Sequence, residues 1–219
     1  MSTQTKIQIP HICSPVDYDK YLDTIIVTMY KIGKTATSKE LVTKEPSLKE
    51  NRCVGRAASF LSYLGLVKGK RSRFDLSQSG REIALALEED KKEDAFKLWQ
   101  QTLKTHMLYS ELQKYIEGQG GKRGSSIGFA EHLRKLANAK WGTRYQKEGG
   151  KRLCVLFDSK GLLTFNRDED SIALSTVVAS PIPPAPPTPP STTPTISPPS
   201  PAPPPIPPSG VQGTLQYTI

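Results

Sequence analysis

The chain has 219 residues, with 30 lysines and arginines against 21 aspartates and glutamates, a net charge of +9 and a 36% hydrophobic content. That is enough apolar material for one domain or two small ones. Three cysteines (Cys13, Cys53, Cys154), odd in number and far apart, exclude a disulfide framework or a C-x-x-C zinc site, and no apolar run approaches the roughly eighteen residues of a membrane span.

From Val16 onward, Tyr21, Leu22, Ile25, Ile26 and Met29 recur at helical spacing, and Gly33 is placed to end the helix. Thr37 or Ser38 can cap a second helix that Pro46 closes. A third helix is predicted over 49–63. At 100° per residue, Val54, Ala57, Ala58, Leu61 and Leu64 fall on one arc and Lys49, Arg52, Arg56, Ser59 and Tyr63 on the other. Gly65 then stops the helix. Leu66-Val67 and Phe74-Asp75-Leu76 read as two strands around a tip carrying Lys68, Lys70, Arg71 and Arg73, and Ser77 caps a fourth helix with Ile83, Ala84 and Leu87 inward.

Beyond a linking helix over 95–103 with Trp99, the plan is taken up again. Helices are predicted over 108–116 and 127–137, separated by the glycine-rich 118–126, with Phe129, Leu133 and Leu136 on one face of the later one. A basic stretch follows, with Lys140, Arg144, Lys147, Lys151 and Arg152, in which Gly149-Gly150 is expected to start or break a helix. The hairpin LLTF-NRDED-SIALS has a net acidic tip. Gly65 and Gly161 end comparable helices, and Ser77 and Ser175 close comparable hairpins, which argues for two copies of one plan.

Three helices, a two-stranded hairpin and a fourth helix, with -LSxSGREIALAL- after the hairpin, resemble the winged helix-turn-helix superfamily over residues 17–88. The resemblance implies a mainly α, α+β chain of tandem winged helices over 16–90 and 91–178. It implies a third helix entering the major groove of double-stranded DNA, with the hairpin on the adjacent backbone. Arg52 and Arg56 would reach base edges, with Lys49, Ser59 and Tyr63 in support. Lys68, Lys70, Arg71 and Arg73 would meet phosphates. In the second copy Arg144, Lys147 and Lys151 either add phosphate contacts or border a surface for a protein partner or for self-association.

The prolines between 181 and 208, sixteen of the nineteen in the chain, make an uncharged segment expected to be disordered over 179–219, and alternation at Leu215, Tyr217 and Ile219 suggests a terminal strand. The whole layout also resembles an uncharacterised prokaryotic family with two winged helices, a Pro-rich linker and a C-terminal strand, a resemblance that implies no established activity.

Chemistry is hard to find. GQGGKRGSS departs from a phosphate-binding loop at Arg123, where Ser or Thr is needed, and His11, His106 and His132 have no paired ligand in sequence. The expectation is a non-enzymatic, cytoplasmic DNA-binding protein, nucleoid-associated and regulating transcription, with no cofactor, no metal and no membrane. The alternative is a winged-helix adaptor within a larger complex, its tail recruiting partners.

Overall fold

The computed structural model describes residues 7–11, 13–70, 73–121 and 123–175. Among these it is mainly helical, with small antiparallel sheets. Helix α1 (Tyr18–Ile32) buries Tyr18, Leu22, Ile25, Ile26 and Met29 on one side and ends at left-handed Gly33 (φ 69°). Strand β1 (Ala36–Thr37) leads straight into α2 (Ser38–Lys44) through a capping box. Thr37 accepts the Glu40 N–H, and the Glu40 carboxylate accepts the Thr37 N–H. After a short 3-10 turn comes α3 (Asn51–Tyr63), whose Val54, Ala57, Ala58 and Leu61 are all buried.

The end of α3 is set by hydrogen bonding. The Gly65 N–H reaches the Ser62 carbonyl and the Leu66 N–H reaches Leu61, the paired bonds of a Schellman motif, with Gly65 at φ 80°. Leu66 is thereby driven into the core and the chain turns into β2 (Val67–Lys70) and β3 (Arg73–Leu76). Pairing of Val67 with Leu76 and of Gly69 with Phe74 sends Val67, Phe74 and Leu76 inward. β1 joins on the far side of β3, so the sheet order is β1-β3-β2. Ser77 caps α4 (Gln78–Glu88) by accepting the Gly80 N–H.

Helices α5 (Lys92–Thr105) and α6 (Met107–Gly118) precede a second set of elements: β4 (Gly124–Ser125), α7 (Ser126–Leu136), α8 (Thr143–Ser159), β5 (Leu163–Asn166) and β6 (Ser171–Leu174). Their sheet order is β4-β6-β5. α8 ends on the same two bonds as α3, Gly161 to Asp158 and Leu162 to Phe157. Ser175 N–H reaches Leu162, as Ser77 reaches Leu66. Leu136, expected inward, is 43% exposed instead, because α7 stops there and Ala137 fills the position beneath.

The described residues form one compact unit, and its apolar core runs without interruption from Ile7 through Trp99 to Ile172. Two features of that core overturn sequence expectations. α8 passes through Gly149-Gly150 unbroken. A Cβ on Gly149 would sit 2.7 Å from the Pro10 carbonyl oxygen and 2.7 Å from Ile9 Cδ1, and one on Gly150 would sit 2.6 Å from the Ser126 carbonyl oxygen. The glycines exist so that neighbouring chain can lie directly on the helix, and that packing outweighs their poor helix propensity. The neighbour is the second surprise. Residues 7–11, 13 and 14, ahead of the expected first module, are wedged between α3 and α8 with Ile7 and Ile9 buried. Tyr145 donates to the Ile9 carbonyl and Arg152 to the Ser14 carbonyl.

His106 bonds α3 to the α5–α6 elbow. Its Nδ1 lies 3.2 Å from the Leu108 N–H, which it accepts as the cap of α6. Its Nε2 then carries the proton and donates to the Tyr63 carbonyl at 3.1 Å. Burial lowers its pKa, since a second proton would have to occupy the capping nitrogen. The unfolded histidine, near 6.5, therefore binds protons that the folded one refuses, and folding stability is fully present above about pH 6.5 and declines as pH falls toward the folded value. Thermal unfolding followed from pH 8 to pH 5 should show a falling midpoint, and His106→Asn, which keeps an acceptor for the cap without titrating, should flatten the decline.

Candidate nucleic-acid interface

The exposed side of α3 holds Arg52, Arg56 and Ser59. The two arginines are one turn apart, and neither takes part in an ion pair among the described residues. The Ser59 hydroxyl donates to the Gly55 carbonyl at 2.8 Å, so it stays close to its own helix. Two residues expected on that face are not on it. Lys49 precedes α3. The Glu50 N–H bonds to the Leu48 carbonyl across it, and Lys49 is held at φ 55°, ψ −69° in a strained γ-turn, exposed but off the helix. Tyr63 points away from solvent. Its ring lies edge-on to His106 at 4.7 Å, its hydroxyl is buried, and burial pushes its pKa up to about 12. The 100° wheel put Tyr63 outside because nothing in the local pattern announces the α5–α6 elbow that covers it.

The β2–β3 hairpin follows α3 directly. Register sets Lys68 opposite Asp75 and Lys70 opposite Arg73, with Lys68 and Arg73 on the face away from the core. Asp75 is taken up by Arg81 of α4 at 3.1 Å, and Lys68 and Arg73 are exposed. Arg71 and the side chain of Lys70 lie outside the described residues, as does the tail over 179–219.

Because α8 is continuous, Arg144, Lys147 and Lys151 share one side of it, at spacings of three and four residues. Arg144 and Lys147 are exposed and Lys151 partly so. Arg152 faces the other way. It is buried against the Ser14 carbonyl at 2.7 Å and paired with Glu148 at 2.9 Å, so it ties the N-terminal segment to α8. The acidic tip of the second hairpin is engaged locally. Asn166 accepts the backbone N–H groups of Asp168 and Glu169, Asp170 accepts the Ser126 hydroxyl at the start of α7, and Glu169 lies 3.9 Å from Arg123.

The two basic helices meet across the N-terminal segment. The pKa of His11 is lowered by burial and then by the charges of Arg56, Arg52 and Arg152, so the ring sits among cations from both α3 and α8. Arg56 acts also on Tyr145 of α8, whose ring packs on His11 at 5.5 Å. Sequence reading gave this segment no role. Its signal was the alternation Ile7-Gln8-Ile9, a half-buried extended pattern.

The tryptophans pack internally. Trp99 is fully buried, and Trp141 lies against Tyr145 at 5.9 Å. Among the described residues no group of three or more His, Cys, Asp or Glu is placed to hold a metal ion, and no helix is long and apolar enough to cross a membrane. No protein-family model, curated protein or solved structure matches the chain.

Proposed function

We propose that this protein binds double-stranded DNA without catalysis, as a tandem winged helix-turn-helix protein of the kind that regulates transcription. The observation that carries the reading is the basic side of α3, Arg52 and Arg56, followed immediately by a hairpin with Lys68 and Arg73 outward. A helix of thirteen residues is long enough to lie in a major groove, and arginine forks match the paired acceptors of guanine. Hairpin lysines and arginines supply phosphate contacts that position the helix without reading sequence. The aligned Arg144, Lys147 and Lys151 favour α8 as a second phosphate-contacting face over a protein-pairing surface. The tied-down acidic hairpin beside it gives an adaptor role little support.

The test is duplex binding by the intact chain across a range of salt concentrations. Each phosphate contact contributes about −0.9 to the slope of log affinity against log salt. The variant Lys68→Ala, Lys70→Ala, Arg71→Ala, Arg73→Ala is expected to flatten that slope by roughly two to four units. Absence of duplex binding by the intact chain at low salt would overturn the reading and leave the protein-interaction adaptor in its place.

A further inference from the structure

Cys13 and Cys53, forty positions apart, come together where the N-terminal segment crosses the first turn of α3. Both line one surface cleft of about 220 Å³ together with Pro15, Tyr21, Leu48 and Glu50. After burial, the Cys13 side chain is among the groups that raise the pKa of the Cys53 thiol. Each sulfur also has a proton acceptor at hand. His11 Nδ1 is 3.1 Å from Cys13 Sγ, and the Cys53 thiol donates to Glu50 Oε2 at 3.3 Å. Cys13 is partly open to solvent, whereas Cys53 is 4% exposed. The third cysteine, Cys154, is fully buried in α8.

We propose that Cys13 and Cys53 are an oxidation site, closing to an intramolecular disulfide when the protein meets a peroxide. Cys13, the more open thiol, passes its proton to His11 and attacks one peroxide oxygen. The O–O bond breaks, that oxygen stays on sulfur as a sulfenic acid, and the other leaves with the proton as water. Cys53 then gives its proton to Glu50 and attacks the Cys13 sulfur. The S–O bond breaks, and the departing hydroxide recovers the proton as a second water. Two thiols are oxidised and one peroxide is reduced. The order follows from burial. Burial and the Cys13 and Glu50 side chains push the Cys53 thiol up to about 12, so it stays protonated until the sulfenic acid forms beside it.

The disulfide would pin the N-terminal segment to α3 just beside Arg52 and Arg56. The proposal holds whether or not those arginines bind DNA.

The experiment treats the intact, reduced chain with stoichiometric hydrogen peroxide and maps its peptides without reduction. The expected product is monomeric, lighter by two hydrogens, and contains a Cys13–Cys53 cross-link. Cys154→Ser should form the same link. Cys53→Ser should instead trap the Cys13 sulfenic acid as its dimedone adduct, and Cys13→Ser should give neither. Closing a loop of this size should raise the unfolding midpoint by roughly 10 °C, reversed by dithiothreitol. Cross-links only between chains, oxidation of Cys13 to the sulfinic acid with Cys53 untouched, or a purified chain whose thiols are held by zinc would each overturn it.

Discussion

Replacing Arg52 and Arg56 together by glutamate is expected to lower duplex affinity on the order of a thousandfold at about 0.1 M salt. The unfolding midpoint should barely move. Two attractive contacts become two repulsive ones, a change of four charges at a phosphate surface. At that salt concentration each released counterion is worth somewhat less than a factor of ten. Both side chains are exposed, and neither is in an ion pair among the described residues, so the fold loses no contact of consequence. The milder Arg52→Ala, Arg56→Ala pair separates two roles. Loss of slope alone, about two units, identifies phosphate contacts, whereas loss of discrimination between duplex sequences identifies base contacts. Arg144→Ala, Lys147→Ala, Lys151→Ala is the matched probe of α8. If it leaves the slope unchanged, only α3 and the first hairpin touch the duplex. If all these variants bind as tightly as the parent chain, the cations of α3 and α8 are surface charge and the first hairpin alone is left to hold the duplex.

What the sequence disclosed and what it hid divide along the range of the interactions. The helices α1, α3, α4 and α7 could be read from local spacing because an amphipathic face and its cap lie within a few residues of each other. Gly65 and Gly161 ending α3 and α8, and Ser77 capping α4, were legible for the same reason. Apart from Lys49 and Leu136, which a local turn and a helix end displace, the residues placed otherwise than expected have partners distant in sequence. Tyr63 is covered by an elbow 43 residues on, and Arg152 is turned inward by Ser14, 138 residues back. Gly149-Gly150 looked like a break because a helix-propensity rule cannot see Ile9 and Ser126 pressing on the helix. Ile7 and Ile9 alternate with a polar residue, a pattern that shows burial without showing against what. The basic residues of the site were legible as charges, but their alignment on α8 depended on the helix being continuous. The pairing of Cys13 with Cys53 was invisible, since spacing rules apply to cysteines on one local element.

The same long-range logic makes Asp23 a residue whose loss should damage the fold. It is half-covered on α1, and its carboxylate accepts the Trp99 indole N–H at 2.7 Å and the Lys160 ammonium at 3.2 Å. The Lys160 side chain is only 9% exposed and lies over the Trp99 ring, 5.1 Å from its centroid. α1, α5 and the end of α8 are thus joined through one carboxylate. Burial nevertheless holds the Asp23 carboxyl above its usual range despite the lysine, so the cost of removing the charges from water exceeds what their attraction returns. Asp23→Ala then strands a buried ammonium and an indole N–H, which should cost about 3 kcal/mol. For a unit of this size that is a fall of roughly 10 °C in unfolding midpoint. The double variant Asp23→Leu, Lys160→Met removes both charges and should recover most of the loss, short of about 1 kcal/mol for the unpaired indole. If Asp23→Ala unfolds at the parent temperature, Lys160 reaches water without its partner and the network is not what joins these three helices. If the double variant is as damaged as the single, the ion pair itself stabilises the fold, contrary to the raised carboxyl pKa.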